Sequence, residues 1–100
     1  MLELRPNCEI CDRDLPPTAE AHICTYECTY CPDCAAALLN VCPNCGGNLQ
    51  RRPIRPAQAW RPTTGLVNDP AGTKRRRNRF SAQERLEFSN RLKDIPPEER

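Results

Sequence analysis

Apolar positions in this chain do not run far. Over residues 1–49 the large ones stand singly, from Leu2 and Leu4 through Ile10, Leu15, Ile23, Tyr26 and Tyr30 to Val41 and Leu49. Only AAALLN, Ala35 to Asn40, is a continuous apolar run, and its helix formers predict a short helix. Residues 50–73 have no apolar periodicity and contain four prolines, which predicts an extended, disordered connector. Periodicity returns at SAQE, Ser81 to Glu84, a capping box in which Ser hydroxyl and Glu carboxylate each satisfy the other's free backbone N–H. A helix is expected from Ala82 to about Lys93, with Phe88, Leu92 and Ile95 as a narrow stripe and Glu87 and Arg91 as a supporting pair. Pro96 and Pro97 end it. So short a helix is marginal by itself and needs something to lie against.

The scattered large residues of the first half are too few to offset the ordering of forty-nine residues by packing alone. Thiols change that picture. All eight cysteines lie in the first 45 residues, spaced C-x2-C-x12-C-x3-C-x2-C-x2-C-x7-C-x2-C. MLELRPNC has no secretory character and no segment is apolar enough to span a membrane, so a reducing cytoplasm is expected. Paired thiols there read as metal ligands rather than disulfides. Two intervening residues let one tight turn present both sulfurs to a single ion, and four soft thiolates suit zinc or iron in a tetrahedron. Two structural zinc ions per chain are the expected cofactor. CPNCGG resembles the knuckle of rubredoxin, but one such iron site would use only four of the eight cysteines.

Two pairings compete. A sequential one groups Cys8, Cys11, Cys24 and Cys28 apart from Cys31, Cys34, Cys42 and Cys45. An interleaved one groups Cys8, Cys11, Cys31 and Cys34 as site 1, and Cys24, Cys28, Cys42 and Cys45 as site 2. Sequential beads would each enclose almost no core. Interleaving ties both ions into one unit and lets Ile10, Ile23, Leu38 and Leu39 share a centre. Interleaving is the expectation carried forward.

With these motifs in hand, a resemblance becomes specific. C-x2-C, a loop, C-x3-C, C-x2-C, a short helix and CPxC resembles the RING finger and related cross-brace treble-clef zinc domains, with Cys28 where a RING usually has His. The whole of MLELRPNCEICDRDLPP…ICTYECTYCPDCAAALLNVCPNCGGNLQRRP, to about residue 56, also resembles the bacterial domain-of-unknown-function 1272 family of short cysteine-rich proteins. The RING likeness implies a shallow partner platform at Ile10, Leu38, Leu39 and Pro43, and with it the alternative of a ubiquitin ligase module. Gly46 and Gly47 stand where such ligases commonly carry a basic residue, which weakens that alternative. His22 is the only histidine and no catalytic base accompanies it, so a non-catalytic interaction module is expected rather than an enzyme.

Charge divides the chain as sharply as the thiols do. Residues 1–49 carry two basic and seven acidic side chains, residues 50–100 thirteen basic and six acidic. Eight thiolates on two divalent ions would take the first half to about −9. It should repel nucleic acid. Phosphate affinity would have to come from KRRRNR, through Lys74, Arg75, Arg76, Arg77 and Arg79, a run that could equally lie along the acidic half. Trp60 is the one large anchor of the connector, for the zinc domain or for a partner. The expected organisation is a small metal-stapled α+β domain over 1–49, a disordered basic arm over 50–80, a helix over 81–95 and a disordered tail over 96–100. An unidentified protein is the expected partner, nucleic acid the alternative, and no membrane is involved.

Overall fold

Three short turns, each carrying a pair of cysteines, organise the first half. In a computed structural model, which describes all 100 residues, the first turn spans Cys8 to Cys11 inside a bridge between Asn7 and Asp14. Asp12 N–H donates to Cys8 C=O (2.9 Å), and Asp12 takes a φ of 66°, the left-handed conformation that reverses the chain. The Cys42–Cys45 turn repeats this geometry. A bridge joins Val41 to Asn48, Gly46 N–H donates to Cys42 C=O (2.8 Å), and Gly46 takes a φ of 79°. The third turn, with its extra residue, joins strands β1 (His22–Ile23) and β2 (Thr29–Tyr30). Here Glu27 absorbs the reversal at φ 69°, its N–H donating to Cys24 C=O (3.0 Å).

Helix α1 (Pro32–Ala37) follows β2 directly, with Cys31 as its N-cap and Pro32 in its first turn, where a missing N–H costs nothing. It therefore starts earlier and stops sooner than the apolar run predicts. Leu38 is the C-cap, and Leu39 and Asn40 both take left-handed conformations, turning the chain towards Cys42. The helix of residues 35–40 is corrected on that account. Strand β3 (Gln50–Arg51) then pairs with β1, giving an antiparallel sheet in the order β2–β1–β3, with His22 opposite Tyr30 on one side and Arg51 on the other.

The core is one cluster in which sulfur and hydrocarbon are mixed. Leu15, Ala21, Tyr30, Ala35, Leu38 and Leu49 pack with Cys8, Cys24, Cys28, Cys31 and Cys42, and Ile10 is partly buried against them. Of the four side chains expected at its centre, only Leu38 is fully enclosed. Ile23 is half-buried, and Leu39 is 39% exposed because its left-handed backbone turns the side chain outward.

The second half differs from the disordered arm that its composition predicts. Arg52 is 2% exposed and its guanidinium donates to Arg5 C=O (3.0 Å), Leu15 C=O (3.2 Å) and Pro16 C=O (3.1 Å). Arg55 ties Leu2 C=O (2.6 Å) to Asp69 C=O (2.8 Å), closing a loop whose exposed tip carries Trp60. At 76% exposure Trp60 anchors nothing within the chain. Residues 72–78 then run back along the acidic first half. Gly72 N–H donates to Leu4 C=O (2.9 Å) and Asn78 N–H to Glu9 C=O (2.7 Å). The arm is ordered because its arginines find carbonyls and carboxylates, partners that composition alone does not reveal. Helix α2 (Ala82–Leu92) closes the chain with both capping-box hydrogen bonds formed, Glu84 N–H to Ser81 Oγ at 3.1 Å and Ser81 N–H to Glu84 Oε1 at 3.0 Å. Residues 96–100, expected to be a disordered tail, include a single 3-10 turn, Pro97–Glu99. Arg100 beyond it donates to Gly46 C=O (3.0 Å). No helix is long and apolar enough to cross a membrane.

Candidate metal centre

The sulfurs of Cys8, Cys11, Cys31 and Cys34 all lie within 4.8 Å of one another. Two come from the first knuckle and two from the first turn of α1, where Cys34 N–H points at Cys31 Sγ (3.4 Å). The Cys11 and Cys31 sulfurs are 3.8 Å apart. Four sulfurs each about 2.3 Å from one zinc ion, at tetrahedral corners, lie about 3.8 Å from one another. The spacing fits a four-thiolate metal site.

A second group gathers Cys24, Cys28 and Cys42, all buried, within the same 4.8 Å limit. It joins the β1–β2 turn to the last knuckle. Cys45 stands outside this group, exposed, with Gly47 N–H donating to its Sγ (3.4 Å). Further donors face the buried sulfurs. Tyr26 N–H reaches Cys24 Sγ (3.3 Å), Asn44 Nδ2 reaches Cys28 Sγ (3.3 Å), and the Tyr30 hydroxyl lies 3.6 Å from Cys42 Sγ. Burial pushes the Tyr30 phenol far up, so it stays a neutral donor beside the sulfur.

Crowding thiols this tightly has an electrostatic consequence. Hydrogen bonds from the Cys28 and Cys42 thiols, with help from backbone N–H groups, hold Cys24 down at about 3. Hydrogen bonds to Cys24 and Cys28, reinforced by burial, push Cys42 far up. In the first group, burial together with the neighbouring thiols pushes Cys34 up. Cys8 falls to about 7, because the N–H and S–H groups around it outweigh the burial that opposes its charge. One ionised sulfur thus makes its neighbours hold their protons, and only a cation between them lets all ionise together. Both groups have the composition and spacing of metal-binding clusters.

Tyr30, Asn44, Arg52 and Asn7 were not among the residues that the sequence marked for a role. Asn44 carries a readable signal, since a side chain inside a C-x2-C turn is held beside the sulfurs by the turn itself. Tyr30 adjoins Cys31, yet its hydroxyl serves the other group, which sequence distance does not show. His22 pairs with Glu20 (3.1 Å) rather than with a sulfur.

The platform residues are partly gathered. Ile10 and Leu38 line one cleft of about 240 Å³ with Cys34, Ala37 and the start of α2. Pro43 lines a neighbouring cleft of about 390 Å³ under Phe80 and α2. Leu39 lines neither and faces a separate cleft beside His22. Of the basic run, Arg75 pairs with Asp14 (2.7 Å) and Asp12 (3.0 Å), Arg76 with Glu3 (3.3 Å) and Arg77 with Asp12 (3.7 Å). Arg79 lies over the Phe80 ring, 5.0 Å from its centroid, and Lys74 is exposed.

Fold and site together define a small α+β protein with two cysteine clusters able to hold metal. The chain belongs to the family described as Protein of unknown function (DUF1272), whose model matches residues 1–55. It is similar to the Uncharacterized protein R02474 of Rhizobium meliloti (strain 1021), 56% identical over 77 residues that span 72% of this chain and 92% of that one. No solved structure matches.

Proposed function

We propose that this protein is a zinc-clamped, non-catalytic interaction module of the cytoplasm, whose partner is another protein. The observation that carries this reading is the interleaving of the two sulfur groups. Cys24 and Cys28 lie in sequence between the two halves of the first group, and Cys31 and Cys34 between the halves of the second. Each ion would then hold together segments that the other also constrains. Cys8, Cys11, Cys31 and Cys34 would hold one zinc, and Cys24, Cys28 and Cys42 a second, with Cys45 as its outer ligand. The zinc supplies charge neutralisation and cross-linking. The chain supplies N–H donors from backbone, Asn44 and Tyr30 that spread the thiolate charge. The interleaving supports a clamp of the cross-brace, treble-clef kind. Eight cysteines without a disulfide support a reducing compartment.

A protein partner is favoured over nucleic acid because Arg75, Arg76 and Arg77 are engaged by Asp12, Asp14 and Glu3. A phosphate backbone would have to break those pairs while facing an acidic surface. The ligase reading is disfavoured by Gly46, whose left-handed turn has Leu92 and Phe88 of α2 packed against it. Ubiquitin discharge from a conjugating enzyme that Ile10→Ala abolishes would reverse that choice. Native mass spectrometry of freshly purified protein tests the clamp. Two zinc ions are expected, lost with chelator together with the fold. A mass showing four disulfides would refute it.

A further inference from the structure

The clefts, the buried polar groups and the charged surfaces converge on one feature. Residues 75–78 run along a partly exposed track on the acidic half, called the channel below, and α2 follows them and packs on Gly46.

The channel reads its occupant in two ways. Asn7, fully buried, receives Arg76 N–H on its Oδ1 (3.3 Å) and donates its Nδ2 to Arg76 C=O (2.8 Å), as a neighbouring β-strand would. Asn78 N–H continues the pairing on Glu9 C=O (2.7 Å). Around this backbone track, Asp12, Asp14 and Glu3 take three consecutive arginines. Beyond Asn78 the occupant turns into α2, which rests on Gly46 through Phe88 and Leu92.

The occupant is imperfectly fitted at its helical end. Ser89 is fully buried on α2 with its hydroxyl unpartnered, a cost that a better-fitted interface would not carry. Clefts of about 390 and 240 Å³ remain on either side of the helix. The ion pairs of the run are exposed, with side-chain exposures of 43% and 80% for Arg75 and Asp14, so salt weakens them. Released from the channel, α2 is too short to persist alone.

We infer that this channel is a binding site for an arginine-rich extended segment of a partner protein, followed by an amphipathic helix, and that residues 74–95 are its resident, displaceable occupant. The inference rests on the interaction-module reading and names the partner's chemistry. The occupant is argued from charge complementarity and from the segment of this chain that already fills the site. Displacement exchanges like for like. The partner replaces three arginines and one amphipathic helix with its own, and its concentration decides which is bound.

A fluorescently labelled peptide of residues 72–95 serves as the probe, titrated into the whole 100-residue chain loaded with zinc. Arg75→Ala, Arg76→Ala and Arg77→Ala together should open the channel, raising peptide affinity at least ten-fold over the parent and speeding amide exchange in α2. Adding Asp12→Asn and Asp14→Asn to that background should remove the gain, as should high salt. Equal binding to all three chains overturns the inference, and so does unchanged α2 exchange in the arginine variant. A concentration-dependent dimer that exchanges α2 between copies also overturns it, because the occupant would then be a second copy. Metal content is measured alongside. Failure with two ions bound refutes the channel alone, whereas loss of the ions in the parent chain refutes the clamp beneath it.

Discussion

Replacing Arg52 by Met removes a guanidinium from the interior while keeping an apolar stem of similar length. Arg52 is 2% exposed, faces no carboxylate in hydrogen-bond range, and links three backbone carbonyls from two segments. Pro16 C=O keeps a second donor in Ala19 N–H (2.9 Å), but Arg5 and Leu15 C=O receive no other. A buried acceptor on Leu15 and a part-buried one on Arg5 therefore lose their partners, at about 1–3 kcal/mol for the first and less for the second. Against this, burial lowers the Arg52 pKa, so the charge itself sits at a cost that Met gives back. The net expectation for Arg52→Met is a loss of about 2–4 kcal/mol. Arg52→Lys should restore little of it, because one ammonium cannot reproduce the fork that spans Arg5 on one side and Leu15 with Pro16 on the other. The assay is denaturant unfolding followed by circular dichroism at a fixed free zinc concentration, since metal bound to the native state otherwise sets the midpoint. Parental stability in the Met variant would refute the reasoning, showing that relief of the buried charge outweighs the lost carbonyl partners.

Gly46→Ala should cost about 1–2 kcal/mol through its left-handed φ of 79°. It should cost more through Leu92 Cδ1, 3.0 Å from the new Cβ, and pairing it with Leu92→Ala should remove only that second part in a double-mutant cycle. Asn44→Ala deletes the donor to Cys28 Sγ and should weaken metal binding at the second cluster about 10–100-fold, leaving the first unchanged in a chelator competition. Metal affinity should fall as pH falls. The bound sulfurs are thiolates and the freed ones take up protons, so the same competition at pH about 5.5 should strip the protein faster than at about 7.5, and a flat profile would contradict thiolate ligation.

The cysteine spacing and the C-terminal helix were the legible parts, because each is written in local chemistry. A C-x2-C turn and a Ser81–Glu84 capping box need only residues within one turn of chain. The path after α1 was not legible. Leu38, Leu39 and Asn40 look like helix, but the need to bring Cys42 round to Cys24 and Cys28 bends the chain at Leu39 and Asn40 and exposes Leu39. The ordered arm was illegible for a different reason. Its arginines differ from solvated ones only in what faces them, and the carbonyls of Arg5, Leu15 and Pro16 converge only after the first half has folded. Asn7 likewise gives no sign in sequence that it will pair with a backbone sixty-nine residues away.

Loading the protein with a spin-active cadmium isotope and correlating each ion with the cysteine β-protons bound to it tests the clamp most directly. One cadmium should couple to Cys8, Cys11, Cys31 and Cys34, and the other to Cys24, Cys28, Cys42 and Cys45. Coupling of one ion to Cys8, Cys11, Cys24 and Cys28 would contradict the interleaved clamp, as would a single bound ion.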